Sequence, residues 1–338
     1  MKGYLITALL SIIATMGATS CRPTASNGEA THNRQEEKRI KTPARFNRDS
    51  AYSYVRRQLA FGPRVSGTEG NRLCREYLVN EFKRHGAQNV NVQTGEVTAF
   101  NGDRLPIGNI MASYNPEIKD RILLLAHYDT RPWCDSDQNE ENRLKPVLGA
   151  NDGASGVAVL LEVARHLNET EAPVGVDILL VDAEDYGQAS GFSTHDSSWC
   201  LGTQYWVDNM PYHSDSLPRY AVLLDMVGGM DAKFHREYFS DQNASKLVDK
   251  VWSMAARSGY ENRFVNKSGG AVIDDHIFLN DAGIPAIDII ESKNESTGTF
   301  APTWHTTDDT LENIDPSSLE AAGQTVLNLI YNEIRCLK

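Results

Sequence analysis

The side chains of this sequence best suited to chemistry are acids and histidines, and they recur where apolar runs end. His127 and Asp129 follow Arg121–Ala126 (R-I-L-L-L-A). Asp182, Glu184 and Asp185 follow Val174–Val181, and Asp225 follows Tyr220–Leu224. His305 closes the loop after Ile284–Ile290, and Asp152 stands at the centre of G-A-N-D-G-A-S-G (149–156). The glycines of that stretch let the backbone turn tightly and come close to a bound group. An acid just ahead of a helical run is kept ionised by the helix N-terminus. Imidazole with carboxylate, and no thiolate, is a zinc-type donor set with open positions. His127, Asp152, Asp185, Asp225 and His305 could hold two metals with Asp152 bridging. Glu184 stands beside Asp185, and neighbours leaving a strand end can point in different directions. One acid can then bind metal while the other moves protons.

These residues need a scaffold that gathers strand ends. Arg121–Ala126, Val174–Val181, Tyr220–Leu224 and Ile284–Ile290 are apolar enough for strands buried on both faces. Val90–Val97 alternates like an outer strand, and Asn109–Tyr114 is a further strand. Helical patterns lie between them: Ser50–Phe61, a segment with Leu73, Tyr77, Leu78 and Phe82 on one face, Val157–Leu167, Trp199–Met210 and Ala244–Ser258. Asp315-Pro316 starts a final helix with core face Leu319, Val326, Leu327, Ile330 and Ile334. The expected fold is α/β, with a mixed, mostly parallel central sheet flanked by helices on both faces. In such sheets, sites form beyond the carboxyl ends of the strands.

The chain has 338 residues, 41% hydrophobic and 23% charged, as a soluble globular protein does. Its formal net charge of −12 argues against nucleic acid and anionic lipid surfaces as partners. Residues 1–21 read as an export signal. An apolar run, Tyr4–Met16, too short to span a bilayer is followed by Ala18-Thr19-Ser20-Cys21, which resembles a bacterial lipobox. An ordinary secretory signal is the alternative, and both imply export. A lipobox would anchor Cys21 to a membrane, with the chain in the periplasm. Residues 22–45 read as a flexible tether, and 46–338 as one catalytic domain. Cys74, Cys134, Cys200 and Cys336 allow three disulfide pairings or remain buried thiols.

Five ordered motifs carry a resemblance over nearly the whole chain from residue 46: A-H-Y-D-T (126–130), G-A-N-D-G-A-S-G-V (149–157), D-A-E-D (182–185), L-L-D (223–225) and W-H-T-T-D-D (304–309). They resemble the zinc aminopeptidase superfamily. Within it, Asp274-Asp275-His276-Ile277 is similar to the D-D-H-I signature of the glutaminyl cyclases, where aminopeptidases of the group usually carry Ser before Asp-His. The resemblance implies one zinc on Asp152, Asp185 and His305, with Glu184 as general acid/base and Asp225 and Asp274 as hydrogen-bonded active-site acids. It implies Phe300 and Trp304 as walls of the glutamine pocket, with Trp199 a third candidate. His127 and His276 are candidates for a second metal or for supporting hydrogen bonds. Asp185 departs from the animal cyclases, which have Glu there. The implied substrates are peptides and proteins with N-terminal glutamine, cyclised to pyroglutamate with loss of ammonia. A two-zinc exported aminopeptidase of the same fold is the alternative, since all five of its ligand positions are filled. A non-catalytic binding protein is disfavoured by the intact Glu184 and metal set.

Overall fold

The computed structural model describes residues 45–189 and 197–334. Its helices are α1 (Arg48–Leu59), α2 (Glu69–Arg84), α3 (Ala154–Glu169), α4 (Leu201–Asp208), α5 (Tyr238–Arg257), α6 (Asp275–Asp281) and α7 (Pro316–Tyr331). Its strands are β1 (Asn89–Thr98), β2 (Arg104–Tyr114), β3 (Arg121–His127), β4 (Gly175–Val181), β5 (Ala221–Leu224), β6 (Phe234–Arg236), β7 (Phe264–Ser268) and β8 (Ala286–Ile289). Six strands form the main sheet in the order β1-β2-β4-β3-β5-β8. The pairs β4–β3, β3–β5 and β5–β8 are parallel, while β1–β2 and β2–β4 are antiparallel. The expected mixed, mostly parallel sheet is present.

Every residue of β3 and β4 is buried, because helices cover both faces. Ile122, Leu124 and Ala126 join the larger core with α1, α3, α5 and α7, while Leu123 and Leu125 face the smaller core by α4 and α6. Period-two alternation thus sends successive side chains into two apolar layers. Each fully buried Leu or Ile contributes about 1.5–3 kcal/mol. Parallel β4, β3, β5 and β8 end on the same side, and His127, Asp182–Asp185 and Asp225 leave from there. The described residues fall within one compact unit.

Several elements differ from expectation. α5 begins at Tyr238 rather than Ala244, capped by the Glu237 carboxylate, which accepts from the N–H groups of Phe239 and Ser240. A kink at Ala244 (φ −140°, ψ 41°) separates this first stretch from the periodic part. Leu73 and Ile334 are exposed, so neither serves the core face expected of it. Trp199 and Met210 lie outside α4. The parallel pair β6–β7 carried no recognisable signal, being only three and five residues long. Cys74, Cys134 and Cys200 are buried free thiols, so no disulfide forms among the described residues; Cys21 and Cys336 lie outside them.

Candidate active site

Two clusters of ligand atoms meet at Asp152. His305, Asp185 and Asp152 form one, and His127, Asp152 and Asp225 the other. His305 Nε2 is 3.2 Å from Asp185 Oδ1 and 3.6 Å from Asp152 Oδ2. His127 Nε2 is 3.0 Å from Asp152 Oδ1 and 3.1 Å from Asp225 Oδ1. Zinc bonds near 2.0–2.1 Å in tetrahedral geometry put neighbouring ligand atoms roughly 3.3 Å apart. The Asp152–Asp185–His305 cluster suits that spacing and Asp185 Oδ2 is buried with no hydrogen-bond partner, whereas in the other cluster His127 Nε2 is hydrogen-bonded to Asp225. The donor set fits zinc.

The backbone is bent around this point. Asp152 precedes α3, and the N–H groups of Asn151 and Asp152 both donate to the Asp309 carboxyl. A Cβ on Gly153 would lie 2.4 Å from the His127 carbonyl oxygen and 2.5 Å from its Nε2, so glycine is what allows the turn to approach His127. Ala183, Cys200, Met226 and His305 all have positive φ, from 46° to 56°. Such conformations cost about 1–3 kcal/mol each and gather where the surroundings enforce them. Here they turn the chain at the ends of β4 and β5 and at His305.

Electrostatics separate the acids. Burial raises the Asp152 carboxyl, but the hydrogen bond and charge of His127, then His305 and Arg131, outweigh it and leave Asp152 below its ordinary range. Glu184 is held well above the carboxylate range, by burial first and then by Asp185, Asp274 and Asp275, with His127 opposing. Asp274 is likewise pushed well up, by burial and then by Asp225 and Asp275. Asp185, the other acid of the His305 cluster, is raised by burial first and then by Asp152, with His305 opposing, so only the pair of low Asp152 and high Glu184 shows the division expected of a ligand and a proton carrier.

A cavity of about 320 Å³ opens over the Asp152–Asp185–His305 cluster. Glu184, Asp225 and Asp274 line it, together with Trp199, Phe300 and Trp304. Trp304 stacks on His305 at 3.6 Å between ring centroids, and Phe300 packs on Trp304 at 4.7 Å. Trp199 lies nearly parallel to His305 at 6.4 Å. Asp274 is the N-cap of α6: its Oδ1 accepts from Asp275 N, while Oδ2 is buried without a partner. The D-D-H stretch is therefore both a helix start and a cavity wall.

His276 is not brought to this site. It points from the first turn of α6 to Glu237, with Nε2 3.1 Å from the Glu237 carboxylate, and belongs to neither ligand cluster. Asp182 and Asp129 are also turned to structural work. Asp182 accepts from Ser66, Asn71, Tyr128 and Gly108 N, and Asp129 accepts from the N–H groups of Glu184 and Asp185. Two residues were not anticipated. Asp135 Oδ1 lies 3.2 Å from His305 Nδ1, close enough to pair with that ring. Arg131, almost fully buried, makes a bidentate pair with Asp135 and reaches Asp185 Oδ1 at 3.4 Å. The only signal for either was a charged residue in the loop after β3.

Residues 109–330 match peptidase family M28. The chain belongs to that family. A glutaminyl cyclase of Bacteroides thetaiotaomicron, solved with N-acetylhistamine, is 45% identical with a TM-score of 0.82, covering 86% of this chain and 99% of its own. A Zn-dependent exopeptidase from Parabacteroides distasonis is 46% identical with a TM-score of 0.81, over 86% and 99%. The glutaminyl-peptide cyclotransferase of Drosophila melanogaster is 26% identical over 277 residues, 75% of this chain and 72% of its own. The chain spans only 42% of aminopeptidase YwaD of Bacillus subtilis, at 25% identity. These relatives bear out the expected glutaminyl cyclase kinship, zinc and the aminopeptidase-like fold.

Proposed function

We infer that the chain cyclises N-terminal glutamine of peptides and proteins to pyroglutamate and releases ammonia. The observation that carries this reading is Asp274. Asp274 lines the same aromatic-walled cavity as Glu184 and the Asp152–Asp185–His305 cluster, and its Oδ2 has no hydrogen-bond partner. An acceptor there suits a departing amide nitrogen.

Asp152, Asp185 and His305 would hold the zinc, which would supply Lewis-acid polarisation of a carbonyl oxygen. The other roles fall to side chains. Trp304, Phe300 and Trp199 grip the flat carboxamide and exclude water. The α-amine is tethered to its target, so folding the side chain back supplies the proximity. Glu184 takes a proton from the attacking amine and returns it to the leaving nitrogen. Asp274 accepts a hydrogen bond from that nitrogen as it departs.

The proposal includes one zinc per chain. Its support is His127, whose Nε2 bridges the carboxylates of Asp152 and Asp225 and can take the place of a second cation. It also includes export to the periplasm with lipid at Cys21; incorporation of labelled fatty acid that persists in Cys21→Ala would overturn the anchor. No helix among the described residues is long and apolar enough to cross a membrane. The reaction is tested with matched peptides starting with Gln, Leu or Ala. Ammonia from the Gln peptide and no free amino acid from the others is expected; free Leu or Ala without pyroglutamate would leave the aminopeptidase reading in its place.

A further inference from the structure

Glu184 must present a carboxyl oxygen to the cavity in a fixed direction, yet it is surrounded by other acids. Among the described residues, one side chain donates a hydrogen bond to it: the Cys200 thiol, with Sγ 3.4 Å from Oε1. We propose that Cys200 is a positioning residue for Glu184, its S–H holding Oε1 so that Oε2 remains the oxygen that exchanges a proton with substrate. The inference rests on Glu184 being the proton carrier.

Three further features fit. Cys200 is completely buried and adopts a left-handed conformation (φ 56°, ψ 35°) that a side chain tolerates only under constraint. That constraint is visible: Cys200 N donates to the Glu184 carbonyl at 2.9 Å, and Leu201 N donates to the Ala183 carbonyl at 3.0 Å. The two left-handed residues, Ala183 and Cys200, are thereby laced together across the strand end that carries Glu184. Cys200 is also the N-cap residue of α4, where a polar side chain usually caps the helix, but its thiol makes no cap bond. It is turned to Glu184 instead. Atoms of Glu184, Cys200 and Asp274 all lie within 4.8 Å of one another, so the thiol sits beside the proton carrier and near the acid assigned to the leaving nitrogen.

A thiol suits the task because it is a weak donor. It orients the carboxyl without binding its lone pair as firmly as a hydroxyl or ammonium would. Burial and the adjacent acids keep the thiol far above its ordinary range, so it stays an S–H donor.

The test compares Cys200→Ala with Cys200→Ser. Removing the donor is expected to lower kcat about tenfold, the scale of one hydrogen bond, with KM within about twofold, and serine is expected to restore most of the loss. A Cys200→Ala protein with kcat within twofold of wild type would overturn the proposal. So would a serine variant as slow as alanine, because packing rather than donation would then be responsible. If alanine does not fold, a folded serine variant within about threefold of wild type supports the proposal, and a tenfold loss in it overturns it. A second readout does not depend on the reaction. The infrared S–H band missing from Cys200→Ser should shift in Glu184→Gln; an unmoved band would overturn the contact. If no variant or wild type releases ammonia while that band shifts, the assigned reaction fails and the contact stands.

Discussion

Replacing Asp135 by alanine should weaken zinc binding through His305. The Asp135 carboxylate lies 3.2 Å from His305 Nδ1 as a charge partner and holds Arg131 through two hydrogen bonds of 2.9 and 2.6 Å. Removing it frees the His305 ring and leaves Arg131 with Asp185 as its nearest carboxylate, at 3.4 Å. Both changes oppose the ligand set, one by loosening a nitrogen donor and one by drawing charge from an oxygen donor. Supporting partners of this type are worth about 10–100-fold in metal affinity, or about 1.4–2.7 kcal/mol. Asp135 retains 28% side-chain exposure, so water can replace part of its role. Asp135→Asn, whose amide oxygen still accepts, should fall near the low end, and Asp135→Ala near the high end. Zinc affinity by chelator competition, paired with kcat at saturating zinc, measures this. The expected result is a weaker Kd with kcat largely recovered by added metal. An unchanged Kd, or a kcat that excess zinc does not recover, would refute the idea that Asp135 acts by fixing His305.

Other outcomes follow from the same geometry. Glu184→Gln should lower kcat at least about 100-fold, the usual worth of a general acid/base, while zinc content stays at wild-type level; retention of a tenth of the activity would remove Glu184 from its role. Asp274→Ala should lower kcat far more than it raises KM, since its bond to the departing nitrogen strengthens in the transition state; a pure KM effect would make it a binding residue only. Far from the site, His85 is buried against Tyr54 and brought down to about 4, by burial first and then by the Arg84 charge. The unfolded chain takes up that proton near 6.5. Stability is therefore full above that pH and is lost as pH falls from there toward 4, by up to about 3 kcal/mol. Denaturant titrations of His85→Gln should show a flatter profile over that interval; an unchanged slope would assign the loss to other groups.

Much of the fold was legible because its signals are local. β3 and β4 are continuous apolar runs, and α7 announces its start with Asp315-Pro316. The candidate ligand residues were legible for a related reason: parallel strands end together, so the polar residues after Ala126, Val181 and Leu224 had to meet. What escaped depends on contacts distant in sequence. Asp135 acts on His305, 170 residues later, as their 3.2 Å contact shows. His276 and Glu237 pair across two elements, and nothing near His276 in sequence indicates that it faces Glu237 rather than a metal. Trp199 lines the cavity from just outside α4, a position that helical periodicity absorbed into the helix. Leu73 and Ile334 failed for the complementary reason: an apolar residue in register with a helical face is not obliged to reach a core.

One titration tests the proposed reaction most directly. Metal-free protein is supplied with zinc in steps, and the mass of a peptide beginning with glutamine is followed at each step. Loss of ammonia alone, with the peptide bond intact and the rate levelling at one zinc per chain, is the predicted result. A rate that rises until two zincs are bound, with free glutamine as the product, would contradict it.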